Sequence, residues 1–236
     1  GNVLALLAGE VGCLEVQLLL LHLDEGVLGL LHRLLDLGRD LLASLLVLAI
    51  TGAGALPGKA QAQDKFIVGM VAANKGNPSR KCFAEAFEAF KAFRDQQQNA
   101  VLYLHTELTG LFDGVNLPAL VDAVGLPREA VMFADQYRIK HYPFPPERMA
   151  AIYSSLDVLL APSAGEGFGI PVIEAQACGV PVIVSDFSAQ PELVGAGWLV
   201  KGQRHYTPIK AWQFRPDVAD IEDALRRAYA ARRDPA

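Results

Sequence analysis

The chain has 236 residues, a net charge of −5 and an isoelectric point near 5.5, which argues against a sequence-independent nucleic-acid binder, since such a protein needs a basic face. Hydrophobic residues are 52% and charged residues 20% of the chain, which excludes global disorder, and the length allows one full domain plus an additional segment. Cys13, Cys82 and Cys178 form no CxxC pair, which argues against a disulfide framework or a zinc site and fits a reducing, cytoplasmic setting.

Composition breaks the chain in two. Residues 1–50 hold 20 leucines and the remaining 186 hold 14, while the first Pro, Lys, Phe and Tyr are Pro57, Lys59, Phe66 and Tyr103. The Gly-, Pro- and Gln-containing stretch GAGALPGKAQAQ marks a boundary, giving a Leu-rich segment over 1–58 and a domain over 59–236. Within the segment, Leu30, Leu31, Leu34, Leu35, Leu37, Leu41 and Leu42 recur at near-helical spacing, the pattern of an amphipathic helix. The longest weakly polar run, Leu41 to Leu56, has 16 residues, short of the ~20 needed to span a bilayer. Three readings stay open: a stretch of foreign or misread origin, a helical hairpin, or a membrane-associated piece. In each, residues 1–58 are expected to be dispensable for folding of the rest.

From residue 65, short apolar runs alternate with helical stretches. The strand candidates are Phe66–Ala72, Ala100–His105, Ala130–Phe133, Leu156–Ala161, Pro181–Ser185 and Trp198–Val200, apolar on both faces as buried parallel strands are. Between them, Ser79–Arg94 carries Phe83, Phe87, Phe90 and Phe93 at helical spacing. Leu117–Val124 has a cap in Asn116 and a stop in Gly125. Pro146–Ser154, Pro171–Cys178 and Asp217–Arg233 complete the helices. This alternation predicts an α/β fold, a Rossmann-like parallel sheet flanked by helices. If the strand order is 3-2-1-4-5-6, ligands bind at the switch point between the first and fourth strands. The loops meeting there are Ala73–Lys81, with Lys75, Arg80 and Lys81, and Pro162–Ile170, with Gly165, Gly167 and Gly169.

The glycines permit close backbone approach, and the free N–H groups at the start of the following helix favour an anion, most naturally a phosphate. The cations face it. Glu166 and Glu174 stand eight residues apart; a carboxylate beside a phosphate site serves another purpose, and hydrogen bonding to sugar or ribose hydroxyls is the obvious one. His105 and Glu107 end the second strand, away from the switch point, and read as structural. Trp198 and Trp212 read as core or domain packing.

The run Ala161-Pro-Ser-Ala-Gly-Glu-Gly-Phe-Gly-Ile-Pro-Val-Ile-Glu-Ala-Gln-Ala-Cys-Gly-Val-Pro-Val-Ile-Val-Ser-Asp186, with its Glu-x7-Glu pair, resembles the donor-binding, C-terminal half of retaining glycosyltransferases of family 4, which have the GT-B fold. Gln190-Pro-Glu-Leu-Val194 resembles a further segment of the same half. The resemblance covers about residues 64–232 and implies a hexosyltransferase acting with retention, needing no metal and no cofactor beyond its nucleotide-diphosphate-sugar donor. It places Glu166 on the sugar hydroxyls, Glu174 on the ribose, and the backbone of Gly167, Phe168, Gly169 and Ile170 on sugar and diphosphate. Lys81 would neutralise the diphosphate, giving Glu166 and Lys81 the catalytic roles. The family's second cation falls at Asn74 or Lys75, with Lys75 preferred, and the loop Ala134-Asp135-Gln136 would meet the base.

The acceptor, a glycan, lipid or protein, is left open, as is peripheral association with a membrane. The amino-terminal acceptor half of the family has no counterpart in the ~60 residues before the domain, so truncation is expected. A non-catalytic nucleotide-sugar module is the alternative, and an epimerase of related architecture a remoter one. A dinucleotide-dependent dehydrogenase is disfavoured, because no GxGxxG follows the first strand.

Overall fold

The computed structural model describes residues 65–233, Asn77 and Pro143 excepted; the expectations for residues 1–58 lie outside them. Six strands form one parallel sheet: β1 (Phe66–Val71), β2 (Ala100–His105), β3 (Val131–Phe133), β4 (Val158–Ala161), β5 (Val182–Ser185) and β6 (Gly197–Val200). Their order is β3-β2-β1-β4-β5-β6, the arrangement expected from the alternation of strands and helices. Phe66 registers with Ala100 on one side, and Val68 with Val158 on the other.

Both faces of the sheet are buried because strand side chains alternate between them. On one face, Phe66, Val68, Met70, Leu102, Leu104, Val158 and Leu160 meet helices α1 (Phe83–Gln96), α2 (Leu117–Val124) and α6, which spans Val218–Arg233. There Phe66, Phe93 and Tyr229 form a ring cluster, with centroids 5.1–5.9 Å apart and edge-to-face tilts, the geometry aromatic quadrupoles prefer. On the other face, Tyr103, Leu159, Val182 and Val184 pack with Ile152 and Tyr153 of α4 (Pro146–Ser154) and Val172 and Ala175 of α5 (Ile170–Ala177). Asn116 caps α2, accepting from the N–H of Ala119, and Gly125 closes it at φ 74°.

Three features differ from the sequence reading. Helix α1 begins at Phe83 rather than Ser79, because residues 79–82 form a turn that ends with Cys82 at φ 49°. A short helix, α3 (Gln136–His141), follows β3, and none of its residues is buried. After β6, β7 (Gly202–Tyr206) and β8 (Trp212–Pro216) pair as an antiparallel hairpin outside the main sheet. Trp198 packs against the core, whereas Trp212 is exposed, which leaves only the domain-packing half of its expected role.

Candidate functional site

The loops after β1 and β4 are tied together at one carbonyl. The oxygen of Arg80 accepts from the N–H of Ala164 at 2.7 Å and from the Ser163 hydroxyl at 2.9 Å. The Ser185 hydroxyl at the end of β5 accepts from the Ser163 N–H at 3.0 Å, and the Ser188 hydroxyl from the Glu166 N–H at 2.9 Å. The switch point is thus a braced junction of three strand ends.

That junction brings three charges together across 85 residues of sequence. Lys81 Nζ donates to Glu166 Oε1. Arg80 reaches Glu166 Oε2 at 3.2 Å and the Gly165 carbonyl at 2.9 Å. Burial pushes the Glu166 carboxyl up, but the hydrogen bond and charge of Lys81, a Ser163 hydrogen bond and the charge of Arg80 outweigh it and hold the acid below its ordinary value. Glu166 is therefore ionised at neutral pH and pinned by two cations. The cation that joins Lys81 on Glu166 is Arg80; Lys75, the residue expected to be the second cation of the diphosphate site, is exposed and bridges to Phe112 through its backbone. The Asn74 side chain is not free for a ligand either. It is 3% exposed and spent on the neighbouring loop, donating to the carbonyls of Glu107 and Val115 and accepting from the Val115 N–H.

The start of α5 lines the same cleft as Lys81 and Glu166. Gly169 stands before it at φ 91°, a conformation that strains any residue with a Cβ. A Cβ on Gly167 would meet nothing within 4 Å, so the backbone there is open to a ligand. Among the described hydrogen bonds, none is donated by the N–H groups of Gly167, Phe168, Gly169 or Ile170. Such groups at a helix start are a ready anion site. Glu174 lies one turn along α5, exposed, with one oxygen fixed by the Tyr153 hydroxyl at 2.7 Å. That contact, together with burial, raises the Tyr153 pKa, burial being the larger cause. Among the described hydrogen bonds, none engages the other carboxylate oxygen.

Lys81, Glu166, Gly169, Pro171 and Gln190 line the cleft with Met70 and Val71 at the end of β1. The enclosed part is about 20 Å³, room for a single water. Gln190 is 1% exposed; its Nε2 donates to the Ala161 carbonyl at 2.8 Å, while its Oε1 has no partner. The hydroxyls of Ser79 and Thr106 are the other unpartnered buried side-chain atoms among the described residues. All three follow carboxyl ends of strands, the edge where ligands bind in open α/β sheets.

Asp135 stands after β3, two strands from β1. Its carboxylate caps α3, accepting from the N–H groups of Tyr137 and Arg138, while Gln136 is bonded to Thr106, Leu108 and Ala134. Neither side chain is aimed at the cleft by these contacts. The structural reading of His105 and Glu107 agrees with the geometry: His105 bonds the Tyr103 hydroxyl, and Glu107 accepts the N–H groups of Thr109, Gly110 and Leu111.

The family model described as Glycosyl transferases group 1 matches residues 65–230. The chain belongs to that family. All six strands and both loops of the junction fall inside the matched region. An O-antigen chain mannosyltransferase B of Escherichia coli is 39% identical over 67 residues, which is 28% of this chain and 18% of that protein. A D-inositol 3-phosphate glycosyltransferase of Rhodococcus erythropolis is 45% identical over 65 residues, 26% of this chain and 15% of its own. These matches thus span less than a fifth of the relatives' length. Among solved structures, the C-terminal domain of a group 1 family glycosyl transferase from Francisella tularensis superimposes with a TM-score of 0.54 at 20% identity, over 76% of this chain and 85% of that one. An Anabaena protein in complex with UDP-glucose gives 0.51 at 20%, over 75% and 41%. The described fold is that of a C-terminal GT-B domain. No helix among the described residues is long and apolar enough to cross a membrane.

Proposed function

We propose that this group 1 domain binds a nucleotide-diphosphate sugar and, in the whole protein, transfers its hexose to an acceptor with retention. The observation that carries the reading is the ion cluster of Lys81, Arg80 and Glu166 facing the open N–H groups at the start of α5. A diphosphate seated on those N–H groups takes over part of the cations' charge from Glu166. Glu166 then turns to the sugar hydroxyls, and Glu174, steadied by Tyr153, accepts from the ribose. In the transfer, the bond from the anomeric carbon to the diphosphate oxygen breaks. The acceptor oxygen bonds to that carbon on the same face, and its proton passes to the departing diphosphate. Lys81, Arg80 and the helix N-terminus stabilise the charge that grows on the leaving group, the effect that usually dominates such steps. No metal is required.

The second reading, a donor-binding module without transfer activity, keeps the same donor junction and differs only in the transfer step. Titration calorimetry of the chain with UDP, GDP and ADP in the presence of a chelator tests the shared part. At least one nucleoside diphosphate is expected to bind, and binding to none, or only on adding a divalent metal, contradicts the proposal.

A further inference from the structure

The hairpin of β7 and β8 is held firmly at its base and bare at its tip. At the base, Phe214 is 5% exposed and stacks on Phe187 with centroids 5.4 Å apart and planes 7° from parallel. The Phe214 N–H donates to the Ala164 carbonyl at 2.9 Å, and Arg215 pairs with Glu85 at 3.2 Å. At the tip, Tyr206 and Trp212 pair edge to face at 5.4 Å while staying 60% and 59% exposed, and Ile209 is 73% exposed. The turn is internally bonded: the Thr207 N–H and hydroxyl both donate to the Ala211 carbonyl, and the Lys210 N–H donates to Thr207. Beyond the anchored Arg204–Phe214 pair, two further residues of each strand carry the Tyr206–Trp212 pair about 7 Å outward, with the turn beyond it.

Charge adds a second, independent feature. Residues 201–216 contain Lys201, Arg204, Lys210 and Arg215 and no Asp or Glu, in a chain of net charge −5. Arg215 is paired to Glu85, and Asp186 shares the recess at the hairpin base with Lys201 and Arg204. Lys210 stands at the tip itself, beside Ile209.

We propose that residues 202–216 form a docking wedge for an anionic lipid surface. Trp and Tyr, with an apolar body and a polar handle, favour the bilayer interface, and Ile favours the acyl region beneath it. Lys and Arg stems lie along the apolar layer with their charges among anionic headgroups. A narrow, convex tip suits a soft surface; a second copy or another folded protein needs a broader apolar area to hold to. The hairpin leaves β6 at its carboxyl end, the edge of the sheet that also carries the cleft, so docking brings the cleft to the membrane surface.

The test is sedimentation of the full chain with vesicles of phosphatidylglycerol and phosphatidylcholine, against pure phosphatidylcholine. Binding to the mixed vesicles is expected to exceed that to the neutral ones about tenfold and to weaken with salt. Trp emission should shift to the blue. The double variant Trp212→Ser/Ile209→Ser and the double variant Arg204→Gln/Lys210→Gln should each lose about fivefold or more of the binding. Their calorimetric response to nucleoside diphosphate should be unchanged, which shows that they are folded. No binding to the anionic vesicles overturns the proposal, as does binding that survives in the Trp212→Ser/Ile209→Ser variant, which would assign it to another segment or to charge alone. Self-association that the same variant abolishes without vesicles would assign the tip to a second copy, and also overturns it.

Discussion

At the scale of single residues, the junction turns on Glu166. The carboxyl sits below its ordinary value of 4.5 in the folded chain, so its ion pairs stabilise fully above that value. Their contribution drains away as pH falls through the lower folded value. Glu107, held low by Thr109 and the N–H groups beyond it against the opposing effect of burial, acts in the same direction. Asp157, raised from 3.8 by burial, opposes both, since protonating it relieves a penalty. Glu166→Gln removes one titrating group, so its thermal midpoint should fall less steeply than that of the parent below about pH 4.5. Melting curves across pH 3–6 check this, and parallel acid limbs would show that the ion cluster contributes nothing to stability. The Glu-x7-Glu spacing made both carboxylates visible in the sequence. The pairing of Glu166 with Lys81 was not visible, because 85 residues separate them and only the strand order joins their loops. Asn74 shows the converse. Its residue type suits a ligand, but the loop of residues 107–115 closes over it, and no local pattern announces that.

At the scale of elements, the loop before α5 is shaped by two glycines with different duties. Gly169 needs its positive φ, and a Cβ there would come within 3.2 Å of Leu193. Gly169→Ala should cost about 1–2 kcal/mol of stability and weaken nucleoside diphosphate binding, because the N–H groups of α5 turn with it. Gly167→Ala, with open space around it, should leave stability unchanged. Urea titrations of both variants decide, and equal losses would contradict the assignment. The strands and long helices were legible because they bury apolar faces with regular periods. The two elements that were not legible, α3 and the β7–β8 hairpin, lack that signal. None of the α3 residues is buried, and every residue of β7 is exposed. Each turns little inward, chiefly Ile139 in α3 and Phe214 in β8, and that is too little for a repeat to read.

At the scale of the whole molecule, the described core draws on residues from Phe66 to Tyr229 and closes both faces of the sheet. A chain shortened to residues 63–236 should therefore fold, melt cooperatively and bind the same nucleotide as the full chain. Unfolding on truncation would make the Leu-rich segment part of the fold. The family and the fold are fixed by the match over residues 65–230, whereas donor chemistry rests on how the junction divides its labour. Calorimetry of Glu166→Ala and Glu174→Ala, each with a nucleoside diphosphate and with the corresponding nucleotide sugar, measures that division. Glu174→Ala should weaken both ligands, by about 1.5–3 kcal/mol for a lost charge-assisted hydrogen bond. Glu166→Ala should leave the nucleoside diphosphate bound at least as tightly, since Lys81 and Arg80 lose a competitor, and should weaken the nucleotide sugar alone. Equal losses for both ligands in both variants would contradict the account.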